Sequence, residues 1–151
     1  MAVKKKKRSY SKQGKRNRAA GSRFELKVRK DLESQGYILD KWTNNVDFDP
    51  NGKGRIVPAK RKYNPFLRAL SIGTGFPDFI AIKITKTGRG IKKDIIGVEV
   101  KRRGYLSKTE KEKCRFYLKN TKLFSKILIA KAIKDGRRIN IEYIDFKKKY
   151  G

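Results

Sequence analysis

Three residues of this chain combine a reactive side chain with a spacing that could make them act together: Asp78, Glu99 and Lys101. Asp78 stands at the mouth of an apolar run, Gly75-Phe-Pro-Asp-Phe-Ile-Ala-Ile. Glu99 and Lys101 lie inside the next such run, Ile95-Ile-Gly-Val-Glu-Val-Lys. Charges in apolar strands are costly unless a charged partner meets them, and a divalent cation set against a phosphate backbone is the simplest partner. Asp78 and Glu99 offer the hard oxygen donors that Mg²⁺ or Mn²⁺ prefers, and a chain with no His and one Cys cannot build a zinc site. A cation there would polarise a scissile phosphate and lower the pKa of a bound water. Lys101 could orient that water or stabilise charge growing on the phosphorus centre. The expected chemistry is cleavage of a nucleic acid.

Frequency alone does not support this reading. With 14 acids and 42 basic residues in 151 positions, chance gives about four pairs of an acid followed two residues later by Lys or Arg. Four occur, at Glu25, Glu99, Asp135 and Asp145. Only Glu99 sits within an apolar strand behind a strand that opens on Pro77-Asp78, so context carries the argument. The competing reading of the same residues is a buried ion pair, which is often no better for stability than a hydrophobic pair.

The elements that must position these groups follow from periodicity. Phe76 to Ile84 is apolar on both faces and reads as an interior strand. A Lys-Thr-Gly-Arg-Gly turn at 86–90 leads to a strand from Asp94 to Lys101. There Ile96, Val98 and Val100 share one face and Gly97, Glu99 and Lys101 the other. Upstream, Ser22 to Gly36 reads as a helix with Phe24, Val28 and Leu32 as its buried stripe and Glu25 at the stripe's edge. Ser22 and Glu25 have the spacing of a capping box, so Glu25 either closes that box or joins the site. Tyr37 to Val46 reads as a strand beside this helix. Ser107 to Glu110 opens a second helix with another capping-box spacing and a stripe of Cys114, Tyr117 and Leu118. Strands are predicted at Lys126 to Ile133 and Ile139 to Phe146. This order gives a two- or three-layer α/β sandwich around a mixed sheet.

Charge bounds the partners. The formal net charge is +28, spread along the chain, which points to a polyanion. Residues 1–20 carry nine Lys or Arg and no acid, so the sequence predicts a flexible basic arm followed by one domain over 21–151. Asp47 to Thr74 is broken by Pro50, Asn51-Gly52, Gly54, Pro58 and Pro65 and reads as a loop insertion without regular structure over most of its length. Its Lys60, Arg61, Lys62 and Arg68, interleaved with aromatics, are candidate nucleic-acid contacts, against the alternative of a solvated insertion. Ser71 and Thr74 could bind a neighbouring phosphate or simply form turns. Arg102 and Arg103 after the Glu-Val-Lys run, and Lys108 and Lys111 on the second helix, complete the candidate backbone contacts. The single Cys114 fits a reducing compartment, and the charged amino terminus has no apolar run behind it, so a cytoplasmic, nucleic-acid-associated protein with no membrane partner and no small-molecule cofactor is expected.

Gly75-Phe-Pro-Asp78 followed by Glu99-Val-Lys101 resembles the PD-(D/E)XK nuclease superfamily. The resemblance implies a restriction-endonuclease-like αβββαβ core with a central mixed sheet flanked by helices. The helix Gly21-Ser-Arg-Phe-Glu25 is similar to the first helix of Holliday junction resolvases in that superfamily. Glu99-Val-Lys-Arg with Gly104-Tyr-Leu-Ser107 resembles the VRR-NUC branch, which usually has a glutamine near where Glu110 stands here. The match spans residues 21–146. It implies catalytic roles for Glu25, Asp78, Glu99 and Lys101. It implies a metal held by Asp78, Glu99 and the backbone carbonyl of Val100, with Glu25 acting through water or on a second ion. Branched DNA as substrate and a homodimer giving paired nicks are the corresponding expectations. A non-catalytic basic nucleic-acid-binding protein, ribosomal or architectural, is the alternative that the charge alone permits, and a nuclease core that only binds is a third.

Overall fold

The computed structural model describes residues 10–71 and 75–151. Its first element, α1 (Tyr10–Ser34), buries Phe24, Val28 and Leu32 at the predicted four-residue spacing. It ends in a Schellman motif: Gly36, at φ 92°, donates to the Glu33 carbonyl and Tyr37 donates to that of Leu32. The helix starts well before the predicted Ser22, which lies in its interior, so the Ser22–Glu25 capping box does not form and residues 10–20 are helical. Residues 10–21 contain no proline, and extending an existing helix adds one hydrogen bond per residue fixed, so good helix formers propagate it into solvent. Of the predicted arm, residues 1–9 lie outside the described residues.

The chain then forms β1 (Ile38–Lys41), β2 (Asn44–Phe48), β3 (Gly54–Pro58), β4 (Lys62–Asn64), β5 (Ala69–Ser71), β6 (Phe79–Thr87) and β7 (Gly90–Val100). Helix α2 (Lys108–Arg115), prolonged by a π-helical turn over Phe116–Thr121, precedes β8 (Lys126–Asp135), β9 (Arg138–Asp145) and the short α3 (Phe146–Tyr150). Five strands make one mixed sheet in the order β1-β6-β7-β8-β9. Only β7 and β8 pair in parallel, and α2 supplies the crossover that a parallel pair requires. The fold is therefore mixed α/β: an N-terminal helix, a five-stranded mixed sheet, small hairpins and further helices.

Alternation along the strands divides the core between the two faces of the sheet. Ala81, Ile96, Val98 and Ala130 pack with Phe24, Val28 and Leu32 of α1. Ile80, Ile95, Ile127 and Ile129 pack on the other side with Cys114 and Tyr117 of the second helical segment, Phe124 and Phe146. Each fully buried aliphatic chain contributes about 1.5–3 kcal/mol, so each interface is held chiefly by its buried stripe.

Two further predictions are corrected. Tyr37 to Val46 is not one strand: the chain leaves the main sheet after Lys41, because the Trp42 ring enters the second core and its Nε1 donates to the Tyr117 hydroxyl at 3.0 Å. Residues 47–74 are also more regular than predicted, since β2 pairs with β3 and β4 with β5. The breakers mark turns between strands. At Asp49-Pro50-Asn51-Gly52, the Asp49 carboxylate accepts from the N–H groups of Asn51 and Lys53, and Gly52 takes φ 81°.

Candidate active site

Asp78 and Glu99 meet because of the register of β6 and β7. Phe79 faces Val98, so the residue before β6 falls opposite the end of β7. Two glycines allow the approach. A Cβ on Gly97 would stand 2.8 Å from Cγ of Pro77, and one on Gly75 would stand 2.1 Å from the Trp42 carbonyl oxygen. Without side chains there, Pro77 packs down onto β7 and the preceding backbone passes against residues 42–44. The Phe76–Pro77 peptide bond is cis, and the Tyr117 hydroxyl donates to the Phe76 carbonyl at 2.8 Å.

The two carboxyl groups are each held by the other strand's backbone. Asp78 Oδ2 accepts from the Val100 N–H at 2.8 Å, and Glu99 Oε2 accepts from the Asp78 N–H at 3.1 Å. Glu99 is 5% exposed, the single buried charged residue among those described. Burial, reinforced by the neighbouring charge of Asp78, pushes the Glu99 carboxyl up to about 8, and the attraction of Lys101 only partly opposes this. Burial also raises Asp78, against the lowering effect of the Val100 N–H, and the charge of Glu25 adds to the rise. Both shifts run in the same direction and disfavour two negative charges in the pair.

Lys101 links this pair to α2. Its Nζ lies 3.3 Å from Glu99 Oε1 and donates to Glu110 Oε1 at 2.6 Å. Burial alone would lower the Lys101 pKa, but the bond to Glu110 and the charge of Glu99 outweigh it and the ammonium form is favoured. Burial would raise Glu110, yet Lys101 and the Ser107 N–H hold it below its ordinary value. The predicted capping box at Ser107 is present: Glu110 N–H donates to Ser107 Oγ, and Ser107 N–H donates to Glu110 Oε2. One carboxylate therefore fixes the start of α2 and the ammonium group of Lys101.

The structure brings together Asp78, Glu99, Lys101 and the end of β7 at Val100, and it adds Glu110, which the sequence reading did not include among the site residues. Glutamate three residues after a cap was legible in the sequence, but its contact with Lys101 depends on how α2 packs. Glu25 stands on α1, in the layer beyond the opposite face of the sheet, and reaches Asp78 through its charge rather than through a hydrogen bond among the described residues. Among the described residues no three acidic, imidazole or thiol groups gather closely enough to hold one ion. The Asp78–Glu99 pair by itself fits a hard divalent cation in donor type, since a cation would offset the cost of two negative charges held this close in a buried place.

The predicted backbone contacts are dispersed. Lys60, Arg61, Lys62 and Arg68 are exposed on or beside the β4–β5 hairpin, where Arg68 adopts φ 46°. Arg102, Arg103 and Lys108 are exposed near the site, while Lys111 lies with Nζ 4.3 Å from the centre of the Tyr150 ring. Ser71 ends β5, and Thr74 lies outside the described residues. Among the described residues no helix is long and apolar enough to cross a membrane.

No family model matches the chain, and comparison with curated proteins and with solved structures finds no match.

Proposed function

We propose that this chain is a metal-dependent endonuclease that hydrolyses DNA phosphodiester bonds, with a restriction-endonuclease-like core of the PD-(D/E)XK type and a preference for branched DNA such as four-way junctions. The observation that carries the reading is the buried Asp78–Glu99 pair with Lys101 beside it, at the end of two adjacent strands. A structural ion pair needs one acid for one base. Here a second acid is buried against the first, raising both pKa values, and that arrangement opposes stability unless a cation is received.

In this reading Asp78 and Glu99 hold Mg²⁺ or Mn²⁺, which when bound supplies Lewis-acid polarisation of the phosphate and a more acidic water. Lys101 holds a positive charge beside the reacting phosphate. It stabilises the negative charge that accumulates as the attacking oxygen adds, and the strong ionisation of its ammonium group suits this role better than proton abstraction. Glu110 acts as a positioning residue by holding that ammonium group. Glu25 contributes negative charge from α1 and raises the cost of ionising the pair until a cation arrives. The excess of basic residues attracts the substrate without reading its sequence.

The test uses four-way, nicked and linear DNA incubated with Mg²⁺ or Mn²⁺. The wild type is expected to cut, the junction fastest, and Asp78→Ala to bind junctions without cutting. Failure of the wild type to cut any of the three substrates with either ion would overturn the proposal.

A further inference from the structure

A groove of about 430 Å³ lies between α1 and the start of β9, and Arg102, the residue after Lys101, is among its lining residues. It is lined by Arg23 and Lys27 of α1, by Arg138, Ile139 and Asn140 of β9, and by Arg102 and Arg137. Five of its lining residues are cationic and none is acidic. Lys27 Nζ donates to the Ile139 carbonyl and so ties α1 to β9, and the lining residue Phe24 is buried. Arg23, Arg102, Arg137 and Arg138 are exposed, and none forms an ion pair with an acid among the described residues. Like charges crowded around a concave surface repel one another. A fold that keeps four such guanidinium groups together without a neutralising acid is suited to receive a polyanion from outside. Arginine also presents a planar fork of donors that matches phosphate oxygens.

We infer that this groove is a binding track for successive phosphates of a nucleic-acid strand, carrying that strand past Lys101 through Arg102. Arg102 directly follows Lys101 in the turn after β7 and lines the groove together with Arg23, Phe24 and Lys27 of α1, so the track comes up to the end of β7 that carries Glu99 and Lys101. The inference deepens the nucleic-acid part of the function proposed above, yet it does not require cleavage. It also assigns Arg23, Lys27, Arg137 and Arg138, none of which is among the contacts read from the sequence.

The experiment compares two fourfold variants of equal charge loss, both measured without divalent cations so that binding is read independently of cutting. One replaces Arg23, Arg102, Arg137 and Arg138 by Gln. The other replaces Lys86, Arg89, Lys92 and Lys93 by Gln on the exposed β6–β7 hairpin, at the far end of the sheet. Fluorescence anisotropy with labelled four-way and single-stranded DNA gives the dependence of log Kd on log salt. Each lost phosphate contact lowers the slope by about 0.7–0.9, so the groove variant, which removes four cations, is expected to lose about 3 units and the hairpin variant less than one. A matching Arg→Lys variant of the groove, which retains the charge and the fold's surface, should keep the wild-type slope.

A second measurement does not depend on the fourfold variant folding. Arg138→Cys carries an iron chelate, while the buried Cys114 stays unlabelled. Radical scission of the bound strand should map to a short, defined segment. Equal loss of slope in both Gln variants, an unchanged slope in the groove variant, or absence of localised scission would each overturn the track. Binding through the groove by a protein that never cuts DNA would instead leave the track standing and remove the nuclease reading.

Discussion

A carboxyl group held above its ordinary pKa stabilises a fold only while it keeps its proton, and Glu99, raised from 4.5 to about 8, is in that position. The folded chain binds this proton more tightly than the unfolded chain does. Its contribution is therefore fully present below 4.5 and is lost as pH rises through about 8. In the absence of divalent ions the melting temperature should fall across that window, and Glu99→Gln, which cannot ionise, should flatten the fall. An equal pH dependence in the variant would show that the pair does not carry the titration. Lys101 makes a separate prediction. Lys101→Ala should reduce single-turnover cleavage about 10²-fold or more, the scale seen when a preorganised charge stabiliser is removed, with DNA affinity changed by no more than about twofold. Near-normal cleavage would remove the lysine from the mechanism.

At the scale of elements, the site depends on how closely β6 enters against β7 and on how firmly α2 begins. Gly97→Ala would set a methyl group 2.8 Å from Pro77 and 3.2 Å from the Phe124 ring, and both are packed in place. Overpacking of this kind costs about 1–3 kcal/mol, and it should displace Asp78 as well, so thermal stability and cleavage are expected to fall together. Ser107→Ala removes the side chain that caps α2 and should cost about 1 kcal/mol in denaturant unfolding. Because Glu110 takes part in the same cap, the variant should also loosen Lys101 and lower cleavage more than a stability change alone would. Stability loss with unchanged cleavage would separate the cap from the site. The sequence made much of this legible: the alternation that directs Glu99 away from Ile96 and Val98, the Ser107 cap and the terminating Gly36 all depend on short-range patterns. The division of Tyr37–Val46 was not legible, because the destination of the Trp42 ring is set by Tyr117, far away in the chain. The pairing of Glu110 with Lys101 was hidden for the same reason, and the early start of α1 because a run of lysine and arginine reads alike as disordered arm and solvated helix.

Across the whole molecule, the acidic pair and the arginine-lined groove lie toward one end of the sheet, while other cations are spread over the rest of the surface. The start of β6, the end of β7, the first half of α1 and the turn into β9 converge there, whereas the β6–β7 turn lies at the other end. The five-stranded sheet thus supports a small acidic pair within a chain of net charge +28. Such a contrast favours a polyanion held by the many cations and a hard metal ion held by the few acids. The most direct test is to titrate Mg²⁺ into labelled four-way DNA with wild type and Asp78→Asn at saturating protein, and to follow strand scission. The expected result is scission that rises with Mg²⁺, saturates in the wild type and is absent in the variant despite equal DNA binding. Scission that is independent of Mg²⁺, or retained in Asp78→Asn, would contradict the account.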